Sequence, residues 1–207
     1  MPELHEYPPH ARSGGAAGQA PSSRSVRLVV IGAGPKALFA LEELAAQFET
    51  NKPRSAEDQH GPLEVTVIDP GAEPGTGAAY ATDQSPLLRL NVTASILDAP
   101  ATDDAPGFRT WAREHAPEAA EEHYPPRAVV GRYLTERWRA METSLRAHAT
   151  IRRHRARATA IRPDGAGFRV AVESAGEGTP ASWELPADDV LVATGHAPDH
   201  DGALHHT

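Results

Sequence analysis

The stretch from Val26 to Leu41 constrains the fold of this chain more than any other part of it. Residues 26–31 are mostly apolar and β-branched, which is typical of a buried strand in a parallel sheet. The next six residues have the form G-x-G-x-x-A, and apolar residues then recur at helical spacing, at Leu38, Leu41, Leu44, Ala45 and Phe48. The sequence therefore predicts a strand, a tight turn and a helix, which together open a βαβ unit.

The glycine turn, residues 32–37, has small residues at three positions with separate roles. Gly32 permits the tight turn, Gly34 lets the backbone come close to a ligand, and Ala37 lets the helix pack closely on the strand. The helix, with Pro35 and Lys36 in its first turn, begins with free N–H groups and the positive end of its dipole. The pattern favours a pyrophosphate-binding turn, and a plain strand-to-helix turn is the alternative.

A second predicted strand, residues 63–69, ends in an acid, Asp69. In a dinucleotide-binding fold, a carboxylate at this point accepts hydrogen bonds from the hydroxyls of the adenosine ribose. The distance in sequence from Gly34 to Asp69 exceeds the usual ~20 residues, and we interpret the polar residues 49–62 as a loop insertion. The alternative is that Asp69 is simply a solvated residue before Pro70.

Composition limits the classes of function open to this chain. It has 207 residues, 40% of them hydrophobic, which suits one domain with a substantial core. A net charge of −8 argues against a general binder of nucleic acid or anionic membranes. The absence of cysteine excludes disulfides, thiolate metal sites and redox-active cysteine pairs. With no signal-peptide pattern and no apolar run of ~20 residues, we expect a cytoplasmic protein without a membrane partner.

The two ends of the chain differ from its middle. Residues 1–25 are rich in Ala, Gly, Ser and Pro, and are predicted to form a disordered tail. Residues 26–198 form the predicted domain, and residues 199–207 a C-terminal tail. Four histidines lie between positions 196 and 207, but without ligand spacing, so no metal site is predicted.

The segment between the second strand and the next strand contains a glycine-rich loop and two helices. The glycine-rich loop, residues 70–80, leaves the sheet edge where ligands bind in open α/β folds. Its Gly75 and Gly77 follow no strand and do not form a second fingerprint; the loop approaches a cofactor or is an ordinary surface loop. A short helix is predicted within residues 105–115, and a longer one opens at Pro126 with a buried face of Val130, Leu134, Trp138, Met141 and Leu145.

The remaining predictions concern one helix face and the last strands. Arg132, Arg137 and Arg139 fall mostly on the other face of the longer helix, which we interpret as solvated. Residues 149–161 are predicted to form one or two strands, and residues 168–173 and 181–185 one each. Residues 189–195 are predicted to form a final buried strand that ends in a turn of small residues. The fold class is therefore α/β, a Rossmann-like parallel sheet with a glycine-turn βαβ unit and an antiparallel β-meander crossover.

This order of elements resembles the FAD-binding half of the two-dinucleotide-binding flavoproteins, the glutathione-reductase-like class. Several stretches narrow the resemblance to the bacterial FAD/NAD(P)-binding proteins related to amino-acid N-monooxygenases. The similarity spans residues 26–198 and rests on Pro70-Gly71, residues 75–80, Thr82-Asp83-Gln84, Leu88-Arg89-Leu90-Asn91, residues 124–127, residues 131–134 and Ala193-Thr194-Gly195-His196.

The resemblance implies roles for particular residues. Gly32, Gly34 and Ala37 would face the FAD pyrophosphate, and Asp69 would hold the adenosine ribose. Asn91 and Tyr80 would lie toward the flavin, while Thr194 and Gly195 would close the chain beside the cofactor. The full set of predicted cofactor-binding residues is Gly32, Gly34, Pro35, Lys36, Ala37, Asp69, Tyr80, Asn91, Thr194 and Gly195.

The family also has a later segment, with a Gly-Asp turn that completes the flavin site, and many members have a second nucleotide-binding fold. This chain ends at Thr207, before either. The resemblance therefore implies FAD as the cofactor, a possible partner subunit that completes the flavin site, and NAD(P)H use only with an additional chain or domain.

Three functions are compatible with this sequence. The first is an FAD-dependent oxidoreductase, monooxygenase-like and acting on a small molecule, or a subunit or fragment of one. The second is a noncatalytic dinucleotide-binding module, and the third is a cofactor-free enzyme that reuses the fold. No Ser-His-Asp pattern, acid pair or metal-ligand set in the sequence offers a different catalyst.

Overall fold

The structure is a computed structural model that describes residues 25–50, 62–98, 106–176 and 181–195. The predicted N-terminal tail before Ser25, most of the loop insertion and the C-terminal histidines lie outside the described residues. The elements, in chain order, are β1 (Val26–Ile31), α1 (Pro35–Thr50), β2 (Leu63–Asp69), α2 (Phe108–His115), α3 (Arg127–Leu145), β3 (Ala149–Asp164), β4 (Gly167–Ser174), β5 (Ser182–Ala187) and β6 (Asp189–Val192).

The strands form one six-stranded sheet in the order β5-β4-β3-β2-β1-β6. Strands β1, β2, β3 and β6 are parallel, and β1 pairs with β2 from Val26↔Leu63 to Ile31↔Ile68. The predicted fold class is therefore confirmed, including the βαβ unit. Because β1 and β2 are parallel and in this register, the glycine turn and Asp69 leave the sheet at the same carboxyl edge.

Strand β3 joins the parallel sheet to the meander. It is one strand of 16 residues, which pairs in parallel with β2 over its first half and antiparallel with β4 over its second. A register irregularity between Ala158 and Ala160 marks the second half. The meander covers one face of the sheet, with a core formed by Val29, Ile31, Ile68, Ala156, Val170, Val172 and Ala187.

Helices α1 and α3 cover the opposite face. Because side chains alternate along a strand, Val30, Val65 and Val67 point to the helices while Val29 and Ile31 point to the meander. The predicted buried face of the longer helix is confirmed, since all of its members are part of the core: Val130, Leu134, Trp138, Met141 and Leu145. No helix among the described residues is long and apolar enough to cross a bilayer.

The final strand ends before the small residues 193–195, as predicted, but the prediction that this strand is buried is wrong. Strand β6 ends at Val192, and the side chain of Val192 is 58% exposed. The reason is its place in the sheet: among the described residues, β6 pairs with β1 on one side and with no strand on the other. Beyond it, Ala193 is buried and its N–H donates to the carbonyl of Ile31 at 2.8 Å.

The prediction that Arg137 lies on a solvated face is also wrong. Its side chain is only 6% exposed, whereas Arg132 and Arg139 are exposed as expected. The Arg137 guanidinium donates from Nε to Oε1 of Glu42 on α1 at 2.7 Å, and it lies 5.2 Å from the ring centroid of Phe39. This ion pair fixes α3 against α1 inside the helix layer.

The phenol of Tyr133 lies one turn before Arg137 on α3. Its environment indicates that the stability of the fold depends on pH in the alkaline range. It donates to the carbonyl of Pro106 at 3.0 Å, and burial raises the pKa of Tyr133 although the Arg137 charge opposes this. Because the pKa of Tyr133 is higher in the folded than in the unfolded protein, its neutral phenol contributes fully to stability below about pH 10, the pKa of an unfolded tyrosine. This contribution is lost as pH rises through the folded pKa.

We expect the free energy of unfolding of the wild type to fall more steeply between about pH 9 and 11 than that of Tyr133→Phe, because the variant has no phenol to ionise at this position. Urea unfolding of both proteins across this interval measures the difference. Parallel pH profiles would show that the ionisation of Tyr133 is not linked to folding.

Candidate functional site

The glycine turn begins where three parallel strands meet. Gly32 has φ = +101°, and a Cβ built on it would lie 2.6 Å from the carbonyl oxygen of Ala193. Its N–H donates to the carbonyl of Ile68 at 2.8 Å, which continues the β1–β2 pairing by one residue. The fold itself therefore requires glycine at position 32, both for the backbone conformation and for the contact with the chain after β6.

Gly34 differs from Gly32 because the packing of the protein does not require a glycine there. Its φ is not positive, and a Cβ built on it would lie 3.6 Å from Cα of Gly77, an ordinary van der Waals contact. An alanine would therefore fit against the protein alone. A ligand that must approach the backbone closely would explain the glycine, which is the role that the sequence predicts.

The N-terminus of α1 presents unpaired donors to this edge of the sheet. The first intrahelical bond runs from the N–H of Leu38 to the carbonyl of Gly34 at 3.1 Å, so the N–H groups of Lys36 and Ala37 have no partner within the helix. The first turn of α1 contains no acidic residue, and the Lys36 side chain is exposed. Ala37 is completely buried against the sheet, as expected for the third small position.

The carboxylate of Asp69 bridges the glycine turn and the glycine-rich loop. Its Oδ2 accepts from the N–H of Ala33 at 2.7 Å, and its Oδ1 accepts from the N–H of Gly71 at 2.6 Å. A carboxylate has about four acceptor positions, so two of them stay available to a ligand. The sequence predicts Asp69 as a cofactor-binding residue but does not predict this bridge, since nothing in a sequence indicates from which distant N–H group a carboxylate accepts a hydrogen bond.

The glycine-rich loop packs directly on the glycine turn. The N–H of Gly75 donates to the carbonyl of Ala33 at 2.6 Å, and Gly77 faces Gly34 backbone to backbone. On the other side of the loop, a Cβ on Gly75 would lie 2.5 Å from the carbonyl oxygen of Leu134 on α3. The loop is thus held between the glycine turn and α3 at the carboxyl edge of the sheet.

The predicted flavin-side residues are placed at different distances from the turn. The backbone N of Thr194 is close to Gly32, and both Thr194 and Gly195 are exposed. Tyr80 is half-buried, with its carbonyl in close contact with Gly131 of α3. Asn91 is exposed, and no hydrogen bond among the described residues joins it to the glycine turn.

The described residues contain no group of three or more His, Asp or Glu side chains that could hold a metal ion. The features that the structure brings together at one edge are instead suited to an anionic dinucleotide. They are a tight turn with an accessible backbone, a helix N-terminus without acids, and a carboxylate with free acceptor positions.

Comparison with known proteins agrees with this arrangement. The model of a family described as FAD-NAD(P)-binding matches residues 29–197. An L-aspartate N-monooxygenase (nitrosuccinate-forming) from Streptomyces cremeus is 29% identical, over 84% of this chain and 29% of that protein. A nitrosuccinic acid synthase from Aspergillus oryzae is 30% identical, over 67% of this chain and 22% of that protein. The chain spans less than a third of the length of these curated relatives.

A solved structure shares the fold. The S-allyl-L-cysteine S-oxygenase from Allium sativum superimposes with a TM-score of 0.52 at 18% sequence identity, and the match covers 83% of this chain and 36% of that protein. At this identity the likeness concerns the arrangement of helices and strands alone.

Proposed function

This chain belongs to the FAD-NAD(P)-binding family, and we propose that it binds the ADP part of FAD and forms part of a flavin-dependent oxidoreductase. The observation that carries the proposal is the convergence of the glycine turn, the N-terminus of α1 and Asp69 at one sheet edge. A surface loop or a solvated acid would not need this convergence. The choice of glycine at position 34, which packing does not require, supports the same conclusion.

Each part of the proposed site has a separate task. The backbone of Gly32 and Gly34 and the free N–H groups of Lys36 and Ala37 would face the pyrophosphate, with Pro35 setting the first turn of the helix. The two free acceptor positions of Asp69 would bind the ribose hydroxyls. When bound, the flavin supplies the redox chemistry, while the protein binds and orients it.

The flavin side of the proposal concerns Tyr80, Asn91, Thr194 and Gly195. Of these, Thr194 and Gly195 have the strongest support, because they directly follow Ala193, whose carbonyl oxygen lies against Gly32. Asn91 is supported by the family resemblance alone. The substrate is a small molecule, and the name of the Streptomyces cremeus relative, an L-aspartate N-monooxygenase, favours oxidation of an amino acid at nitrogen.

We propose that NAD(P)H is used only when a further chain or domain supplies a second nucleotide site. In the described residues, one glycine turn lies between a parallel strand and a helix, and the Gly165 turn joins two antiparallel strands instead. Purified chain with excess FAD is expected to oxidise NADPH far more slowly than the ordinary enzyme range of ~1–1,000 per second. Turnover within that range would overturn this part of the proposal.

Titration calorimetry with FAD, ADP and FMN tests the proposed function directly. We expect ADP to bind, FAD to bind at least as tightly because the proposed flavin-side residues would add contacts, and FMN to bind much more weakly because it lacks the adenosine diphosphate part. ADP binding without any retained flavin spectrum would instead favour a noncatalytic nucleotide-binding module. Failure of both FAD and ADP to bind would overturn the proposal in favour of a cofactor-free enzyme.

The variant Asp69→Asn is expected to weaken ADP binding by at least about tenfold, because a neutral amide accepts more weakly from the ribose hydroxyls than a carboxylate does. Some stability should be lost as well, since the carboxylate also accepts from Ala33 and Gly71. Asp83→Asn is the matched control, because Asp83 is exposed and undergoes the same loss of charge. Equal ADP affinity in wild type and Asp69→Asn would contradict the ribose role.

A further inference from the structure

Two arginine side chains on β3 hold the loop that follows Asp69. Arg155 donates from Nε to the carbonyl of Pro70 at 3.3 Å, and Arg153 donates from Nη2 to the carbonyl of Ala72 at 3.4 Å. Both arginines are exposed, and among the described residues neither forms an ion pair with a carboxylate. Within the described part of the chain, both arginines therefore hydrogen-bond to carbonyl groups of the loop at the edge of the proposed site.

The strand register places these arginines beside the acid. In the parallel β2–β3 pair, Asp69 lies opposite Arg155 and Val67 lies opposite Arg153. Because side chains alternate along a strand, the side chains of Asp69, Arg153 and Arg155 lie on the same face of the sheet as Val67. This is the face that α1 and α3 cover. Across the carboxyl edge, the order is thus the glycine turn on β1, Asp69 on β2 and the arginines on β3.

We propose that Arg153 and Arg155 are positioning residues for the adenosine end of the bound dinucleotide, an inference that rests on the proposed function. They fix the loop whose Gly71 N–H holds Oδ1 of Asp69 at 2.6 Å. The loop lies tightly on the carboxylate, since a Cβ on Gly71 would come within 2.7 Å of Oδ1. Fixing the loop therefore fixes the carboxylate rotamer, which decides where the two free acceptor positions point.

A second effect of the same arginines has to be separated from positioning. The chain carries a net charge of −8, and two guanidinium groups without carboxylate partners would attract any anion to this edge. General attraction would act equally on every anionic ligand. Positioning of Asp69 would act only on ligands that carry the ribose and would leave the binding of a bare pyrophosphate unchanged.

The test uses the double variant Arg153→Gln/Arg155→Gln, titrated with ADP and with inorganic pyrophosphate at physiological salt, where the attraction between exposed charges is screened beyond about 8 Å. We expect ADP affinity to fall by about three- to tenfold and pyrophosphate affinity to stay unchanged. The matched control, Arg139→Gln/Arg157→Gln, removes the charges of two exposed arginines that form no ion pair with a described carboxylate, and it should leave both affinities unchanged. Arg153→Lys/Arg155→Lys, which keeps a donor at each position, should recover most of the ADP affinity.

Each other outcome overturns the inference. Equal losses for ADP and pyrophosphate would show attraction without positioning, and unchanged ADP affinity would show that the loop needs no anchoring. In both cases the proposed function stands if wild type binds ADP and Gly34→Ala binds it far more weakly. Absence of ADP binding by wild type overturns the proposed function together with this inference. If the double variant does not fold, Arg155→Gln alone is compared with Arg157→Gln by the same titrations.

Discussion

Replacing Glu42 by alanine is expected to lower the free energy of unfolding by about 3–5 kcal/mol, because it leaves the Arg137 guanidinium buried without its carboxylate. Burial by itself would lower the pKa of Arg137, but the hydrogen bonds and charge of Glu42, together with Tyr133, outweigh burial and raise it. When its partner is removed, Arg137 still stays charged because a guanidinium remains protonated at any ordinary pH, and the uncompensated buried charge is what destabilises the fold.

Urea unfolding of Glu42→Ala and of Glu42→Leu/Arg137→Met measures this cost. The double variant replaces the pair by apolar side chains and should recover most of the stability lost in the single variant. The exposed pair Glu142–Arg146 on the same helix is the control, since Glu142→Ala should change stability by only about 0.5 kcal/mol. A cost for Glu42→Ala no larger than that of the control would show that the buried pair contributes little.

The ion pair bears on the proposed site because it joins the helix that follows the glycine turn to the helix that supports the glycine-rich loop. Helix α1 carries the turn that would face the pyrophosphate, and α3 supports the glycine-rich loop through its contacts at Leu134 and Gly131. Loosening α3 from α1 should therefore loosen the turn and the loop at once. Weaker ADP binding by Glu42→Ala, at a temperature where it is still folded, would be the functional consequence.

The sequence predicted the βαβ unit well because its signals are local. The change from a β-branched run to apolar residues at helical spacing, with small residues between, specifies strand, turn and helix within residues 26–48. The buried face of α3 was predictable for the same reason, since Val130 to Leu145 keep one periodicity throughout. The alternating strands of the meander were predictable as elements but not as the layer that covers one face of the sheet.

The features that sequence reasoning missed all depend on distant partners. By its spacing, Arg137 falls mostly outside the apolar face of α3. Only its contact with Glu42, 95 residues earlier, explains why it is buried. Val192 is apolar and was expected to be buried, but it lies on the edge strand of the sheet. The bridge from Asp69 to Ala33 and Gly71 likewise follows from the three-dimensional register of β1 and β2.

The two glycines of the turn should respond oppositely to alanine. Gly32→Ala is expected to cost about 2–4 kcal/mol of stability, because its φ of +101° strains a side chain and its Cβ would clash with Ala193. Gly34→Ala is expected to change stability by less than about 1 kcal/mol, because its Cβ fits beside Gly77. Its ADP affinity should nevertheless fall by about 100-fold, or about 2.8 kcal/mol, the equivalent of one strong charge-assisted hydrogen bond to the pyrophosphate.

Urea unfolding and ADP titration of both variants separate the two roles, with Gly176→Ala as a control whose Cβ would meet nothing within 4 Å. If Gly34→Ala bound ADP as wild type does, the pyrophosphate could not lie over Gly34. If Gly34→Ala unfolded as readily as Gly32→Ala, packing would account for both glycines. Only a variant that keeps its stability and loses ADP shows that the glycine at position 34 serves a ligand, because the fold alone has no need of it.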